Sequence, residues 1–413
     1  MVKPIETIPE GVKHIHCIGI GGSGMFPLVQ ILHGRGYTIT GSDNNESDIV
    51  NLERQMGIEV MMGQRAENIR GADLILYSAA IMDTNPELIA ARESGLPLWE
   101  RAKMLGAVSS WYSEALGVCG THGKTTTTAM TVQIMVMAGL DPAAVIGGKL
   151  PLIDGYGRYG AGRNIVVEAC EYHNTFLQLV PHTSVVLNID ADHLEFFKTM
   201  DNLKAAFRKF ALLTEHRVIA NIDDANTLAA VDEIDRDVRT FGVHQQADYR
   251  AVNVREYRPS FFEFDVAVHG VPGVHVRLSV PGYHNVYNAL AAYACAEGAG
   301  CTPGQCAQGL AAFRGAGRRF EILGEVNGVT IADDYAHHPT ELEATLRAAK
   351  EMDYNQVWAV FQPFTYSRTQ MLLDEFARVL PIADHVVMTE IMGSRERAED
   401  YTVRTKDLAA KIP

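Results

Sequence analysis

At 413 residues, 47% hydrophobic and 21% charged, the chain is too long for one ordinary core and too apolar to stay disordered, so two or three globular domains are expected. A formal net charge of −14 argues against a broad nucleic-acid or anionic-membrane surface, yet leaves room for a local cationic site that takes a small anion. Six scattered cysteines with no Cys-x-x-Cys pair suggest neither a zinc knuckle nor a disulfide framework. With no signal-peptide core and no bilayer-length apolar run, a cytoplasmic protein is expected.

Residues 14–20, His-Ile-His-Cys-Ile-Gly-Ile, read as a buried strand, followed by the turn Gly19-Ile20-Gly21-Gly22-Ser23-Gly24 and an apolar helix from Met25 to Leu32. This is the Gly-x-Gly-x-x-Gly fingerprint of a diphosphate-binding turn, with Asp43 near its usual acidic position. Further strands at Tyr37–Asp43 and Leu74–Ser78 alternate with helical stretches and predict a parallel, doubly wound sheet. A dehydrogenase is set aside, because a second phosphate loop follows and no hydride-transfer constellation does.

That second loop is Gly120-Thr121-His122-Gly123-Lys124-Thr125-Thr126, between the strand Ala115–Cys119 and a helix that includes Ala129–Met135. Backbone N–H groups at such a turn, with the helix N-terminus behind them, bind an anion. Lys124 reaches outer phosphates and Thr125 offers a hydroxyl to Mg²⁺, so ATP is the expected ligand. Val118 stands where the general phosphate loop has its first glycine, which makes this a variant.

Strands are expected at Ile165–Glu168, Ser184–Asn188 and Arg217–Asn221, with antiparallel edge strands over 247–280 and an Ala-rich helix over 286–297. Glu168 ends its strand on the ligand side of a parallel sheet, where Mg²⁺ prefers carboxylate oxygens. His193, in Asn188-Ile189-Asp190-Ala191-Asp192-His193, ends another strand on the same edge. A third unit begins near Gly317-Arg318-Arg319-Phe320, with strands at Val329–Ala332, Val357–Phe361 and His385–Thr389. Its segments Asp333–Glu341 and Phe361–Thr369 put polar groups at strand C-termini, where α/β ligands bind.

In these segments, from His14–Met25 through Gly120–Thr128, Glu168–Glu171, Asn188–His193 and Pro281–Leu290 to Asp333–Glu341 and Thr389–Glu396, the chain resembles the Mur ligases almost end to end. The resemblance implies an α/β protein of three domains. A Rossmann-like N-terminal domain (1–108) would bind a UDP-sugar. A central P-loop-type ATPase domain with a mostly parallel sheet (109–316) would bind ATP. A C-terminal α/β Rossmann-like domain (317–413) would close over ATP and an amino acid.

The implied activity is ATP-dependent joining of L-alanine to the carboxylate of UDP-N-acetylmuramate through an acyl phosphate. The implied UDP-sugar contacts are Gly19, Gly21, Gly22, Ser23, Gly24, Asp43 and Ser78. For ATP they are Gly120, Thr121, His122, Gly123, Lys124, Thr125, Thr126, His284, Asn285, Arg319 and Asp334. Thr125, Glu168 and His193 would hold Mg²⁺ or Mn²⁺, and Lys124, Glu168, His193, His337 and Arg368 would carry catalysis. Tyr335, Phe364 and Arg368 would form the amino-acid pocket.

Three departures from the family stand out. Phe364 replaces a histidine and is followed by Thr365, which bears on preference for L-alanine over glycine or L-serine. Lys103 stands where the family has Glu. Members usually continue past Pro413; a natural short form and a truncation both stay open, and if elements are missing the third domain's sheet is expected to have an unpaired edge. A ligase for a recycled peptide is the alternative within the family, although its first glycine turn differs from Gly19–Gly24. Outside it stands a nucleotide-binding sensor, which would not need Glu168 or His193. Partners are small molecules, and monomer and homodimer both stay open.

Overall fold

A computed structural model describes residues 5–394 and 396–412. The extreme N-terminus and Arg395, the latter part of the late Thr389–Glu396 resemblance, lie outside the described residues.

The N-terminal sheet has five parallel strands, β1 (His14–Ile18), β2 (Thr38–Asp43), β3 (Glu59–Met62), β4 (Leu74–Tyr77) and β5 (Leu98–Glu100), in the order β3-β2-β1-β4-β5. The order reverses at β1, so the turn after Ile18 opens at the topological switch point, where such sheets bind ligands. Ile15, Cys17, Ile18, Leu74, Ile75 and Leu76 are fully buried, as expected of strands covered on both faces. The edge strands β3 and β5 are short and half-exposed, so no apolar run marks them in the sequence.

The central sheet contains β6 (Glu114–Cys119), β7 (Ala143–Leu150), β8 (Gly155–Arg158), β9 (Asn164–Glu168), β10 (Thr183–Val186), β11 (Arg217–Asn221), β12 (Asp237–Gly242), β13 (Tyr249–Arg258), β14 (Phe261–Val268) and β15 (Val271–Arg277). Their order is β15-β14-β13-β12-β11-β10-β6-β9-β7-β8. Strands β12 to β7 in that order run parallel. Antiparallel pairs lie at the two ends, β13-β14-β15 at one and β7-β8 at the other, as the alternation over 247–280 predicts. Helix Lys124–Met137 packs against the Ala-rich helix His284–Gly298, whose residues from Val286 to Ala296 are almost all buried. Small side chains allow that close approach.

Register decides the site. Val118 of β6 pairs with Glu168 of β9, and Cys119 pairs with Val186 of β10. The three segments that leave these strands, 120–123, 169–171 and 187–193, therefore emerge side by side.

The C-terminal domain holds a hairpin, β16 (Glu321–Val326) with β17 (Val329–Asp333), and a parallel pair, β18 (Trp358–Phe361) with β19 (His385–Met388). Helices Pro339–Glu351, Leu373–Val379 and Thr405–Ala409 contribute to a core around Leu342, Phe361, Phe376 and Leu408. No further strand lies beside β18-β19 among the described residues. Also among them, no helix is long and apolar enough to cross a membrane.

Candidate active site

The loop from Gly120 to Gly123 turns where only glycine fits easily. Gly123 has φ +85°, and a Cβ there would lie 2.4 Å from Asn288 Oδ1. The helix begins at Lys124, so its free N–H groups face the loop's hollow. Lys124 Nζ donates to the carbonyls of Gly120 and Thr121 and sits 3.0 Å from the buried Glu171 carboxylate. Burial opposes the ammonium charge, but Glu171 outweighs it and holds the lysine above its usual range.

Glu168, at the end of β9, accepts from Thr125 Oγ1 at 2.9 Å and from the Gly147 N–H at 2.6 Å. A hydroxyl and a carboxylate thus converge beside the loop. His193 stands on the neighbouring segment with φ +55°, its Nδ1 3.4 Å from Glu195 Oε1 and its ring 4.4 Å from that of Tyr172. Asp192 beside it is buried. Burial would raise its carboxyl, yet His193 and Arg368 hold it well below the usual range.

Above the loop, between the central and C-terminal domains, lies a cavity of about 460 Å³, lined by Gly123, Thr125, Thr126, His284, Asn285, Arg319, Asp334 and Glu341 among others. That is the size of a small-molecule site. His284 lines the hollow with an exposed side chain, and the protein packed around it lowers its imidazole below the usual range. Asn285 is tied to Pro281 O and Asn288. Arg319 Nη2 donates to Thr125 Oγ1 at 3.2 Å. Asp334 accepts from the N–H groups of Phe320 and Ala336, and burial raises its carboxyl.

His122 is clamped from two sides, with Nε2 3.1 Å from Asp190 Oδ2 and Nδ1 3.2 Å from Glu341 Oε1. Burial opposes its charge, but the two carboxylates overcome this and raise it to about 9. His122, Asp190 and His338 bring one donor atom each within 4.8 Å of one another. Both nitrogens of each ring are already engaged, those of His338 by Thr340 N–H and Ala191 O at 3.3 Å each. The cluster is therefore a hydrogen-bonded domain contact.

Tyr335, His337 and Phe364 stand together in the C-terminal domain, with ring centroids 5.2 Å apart for Tyr335 and His337 and 6.2 Å for His337 and Phe364. Arg368 is buried, with Nη2 3.1 Å from Asp192 Oδ1. Thr365, with φ +65° and ψ 140°, is a strained backbone for a β-branched residue and caps the helix that carries Arg368.

In the N-terminal domain Gly19 has φ +77°, and Gly22, Ser23 and Gly24 are exposed. Asp43 Oδ2 accepts the Gly21 N–H at 3.0 Å and Ser78 Oγ accepts from Ala80, so both side chains shape the turns on which they sit. The Ile81 side chain lies 3.2 Å from where a Gly19 Cβ would be, which brings the Tyr77–Ile81 loop onto the glycine turn.

Residues 14–112 match the Mur ligase family catalytic domain, 118–296 the Mur ligase middle domain and 318–412 the Mur ligase glutamate ligase domain. The chain belongs to the Mur ligase family. A UDP-N-acetylmuramate–L-alanine ligase of Alkaliphilus metalliredigens is 43% identical over 94% of this chain and 85% of its own. One from Caldanaerobacter subterraneus is 41% identical over 99% and 89%. Among solved structures, the UDP-N-acetylmuramate-alanine ligase of Thermotoga maritima aligns with a TM-score of 0.82 at 30% identity, over 96% of this chain and 87% of that one. A murein peptide ligase of Psychrobacter arcticus aligns at 0.76 and 26% identity, over 93% and 86%.

In this Mur ligase several site neighbours escape sequence reasoning. Arg101 reaches over the first glycine turn, its Cζ 3.6 Å from where a Gly24 Cβ would be, which adds a cation to an anion-binding turn. Its place at the start of a helix directly after β5 was the available signal. Glu341, Asp190 and Asp192 are visible in the sequence only as acids flanking the histidines.

Proposed function

We infer that this Mur ligase joins L-alanine to the carboxylate of UDP-N-acetylmuramate, with ATP giving ADP and phosphate, in the cytoplasmic assembly of peptidoglycan precursor. The observation that carries the reading is the near full-length similarity to ligases of that name, over a chain whose glycine loop, Thr125–Glu168 pair and interdomain cavity fall together. Residues 1–108 would bind the sugar nucleotide, 109–316 ATP, and 317–413 the amino acid.

A carboxylate is a poor acyl donor, so a phosphoryl group must first be transferred to it. The loop amides from Gly120 to Thr126 and Lys124 would cradle the phosphates. Lys124 must leave the Gly120 and Thr121 carbonyls to do so. Thr125 Oγ1 and Glu168 Oε1, hard oxygens 2.9 Å apart, fit Mg²⁺ or Mn²⁺, and His193 would be a further ligand if its ring turned from Glu195 and Asp192. When bound, the ion would offset charge on the phosphoryl oxygens. The His284 ring and Asn285 suit a base, and Arg319 and Asp334 lie on the cavity wall nearer the C-terminal domain.

The amine of L-alanine then attacks the acyl phosphate, beside Tyr335, His337 and Phe364. The Arg368 guanidinium gives Nε and Nη2 to Asp192 and one Nη1 proton to Phe364 O at 3.5 Å, and its remaining N–H groups would meet a carboxylate. Seating of the C-terminal domain excludes water that would hydrolyse the acyl phosphate.

The test is phosphate release from ATP with Mg²⁺ and UDP-N-acetylmuramate, with amino acids and peptides added singly. Release dependent on both the sugar nucleotide and L-alanine is expected. Release with glycine, L-serine or a tripeptide instead would reassign the acceptor. Release that ignores the sugar nucleotide would sink the reading.

A further inference from the structure

The reaction as derived makes no use of Glu341, yet its carboxylate joins two domains. Oε2 accepts the N–H groups of His337 at 3.1 Å and His338 at 3.4 Å, closing the first turn of helix Pro339–Glu351. Oε1 stands 3.2 Å from Nδ1 of His122, in the glycine loop of the central domain. Asp190 holds the other ring nitrogen, and the Asn188 amide brackets the His122 backbone, accepting its N–H at 2.8 Å and donating to its carbonyl at 3.0 Å. Every polar atom of His122 is thereby committed, and among the described residues the C-terminal domain reaches the ring through the Glu341 carboxylate and through the His338 ring, whose centroid lies 5.0 Å away.

We propose that Glu341 is a positioning residue that couples seating of the C-terminal domain to the geometry of the nucleotide loop by fixing the His122 imidazole from across the cavity. The inference rests on the reading that this loop holds nucleotide phosphates. His122 lies between Thr121 and Gly123 and lines the same cavity as Thr125 and Thr126. With the C-terminal domain withdrawn, the ring keeps Asp190 alone and can turn on that single contact. With the domain seated, the ring is held on both nitrogens, and the loop backbone on either side of it is held with it. A preorganised phosphate loop stabilises developing phosphoryl charge better than a mobile one, because no reorganisation is needed during reaction.

A helix cap alone would be served equally by glutamine, whose amide oxygen accepts the same two N–H groups. Glu341→Gln therefore separates the two roles. The measurements are kcat and KM for ATP, the affinity for a non-hydrolysable ATP analogue by calorimetry, and the melting temperature. The expected result is a fall in kcat of about tenfold, with analogue affinity within about twofold of wild type and unchanged melting. Glu341→Asp, which keeps the charge one methylene short of His122, shows the same loss and serves if Glu341→Gln does not fold. His122→Gln lowers kcat by a similar factor, and the double variant is no slower than the slower single one.

Wild-type kcat in Glu341→Gln, multiplying losses in the double variant, or a loss that only tracks a lower melting temperature would each overturn the coupling. No binding of the analogue by the wild-type enzyme removes the nucleotide reading and the coupling with it. Binding together with a silent Glu341→Gln removes the coupling alone.

Discussion

Arg368 and Asp192 meet across the boundary between the C-terminal and central domains. The guanidinium lies 3.1 Å from Oδ1 through Nη2 and 3.3 Å through Nε, and both side chains are only 8% exposed. Thr340 Oγ1 donates to Asp190 Oδ2 at 2.9 Å and His338 Nε2 to Ala191 O at 3.3 Å. Segment 190–192 is thus the ridge on which the C-terminal domain sits.

Removing one partner of a buried pair leaves the other charge without solvent or counter-ion, at a cost of about 3 kcal/mol. Arg368→Ala should lower stability by that order in urea unfolding, and Arg368→Ala with Asp192→Asn should lose less than the sum of the singles. Strict additivity would show that the two side chains do not interact in solution.

Gly123→Ala meets two obstacles, a φ of +85° and Asn288 Oδ1 at 2.4 Å from the new Cβ. Gly36 has φ +97° with nothing within 4 Å of such a Cβ, so Gly36→Ala isolates the backbone penalty, about 1 kcal/mol. The expected loss for Gly123→Ala is about 2–4 kcal/mol, together with loss of nucleotide binding. Equal losses at the two positions would mean that Asn288 gives way freely.

The contacts around His122 predict a pH dependence. The imidazole is raised from its usual 6.5 to about 9 by Asp190 and Glu341, against burial. Its contribution is complete below about pH 6.5 and is lost as pH rises through about 9, on the order of 3 kcal/mol in all. His337 and His338 are depressed, first by burial, so they cost stability as pH falls below about 6.5. Asp190, lowered first by its hydrogen bond to His122, and Glu341, lowered by His122 against burial, contribute above about pH 4 and lose this as pH falls further. Urea midpoints should therefore peak near about pH 6.5, and His122→Gln should flatten the alkaline limb. An alkaline limb unchanged in that variant would assign it to another group.

Chelation should abolish phosphate release, and Mg²⁺ or Mn²⁺ should restore it. Because Glu168 already meets Thr125 Oγ1 and Gly147 N–H, Glu168→Gln keeps a similar shape and loses only a charged oxygen. It should raise the Mg²⁺ concentration for half-maximal rate by at least about tenfold. A wild-type rate indifferent to chelator would exclude a metal at this pair.

The amino-acid sequence alone determined the two glycine turns, the buried strands that precede them and the alternating edge strands, read over 247–280 and found within Tyr249–Arg277, because each is written in contiguous residues. Glycine spacing sets backbone conformation, and runs such as Leu74–Leu76 and Ile165–Val167 carry their own burial. Glu168 was legible for the same reason, since a strand end in a parallel sheet is a place as well as a position. The short strands β3 and β5 were not, because half-exposed edges impose no apolar period.

Only the tertiary structure decided which polar groups meet across domains. His122 and Glu341 are 219 residues apart, and Arg368 and Asp192 are 176 apart. No local propensity links such pairs. The parallel registers β6-β9 and β6-β10 bring the loop ends together, and the C-terminal domain then seats its helix N-terminus on them. Burial on that seat turns ordinary acids and histidines into a fixed charge pattern, because removal from water makes each partner necessary to the other.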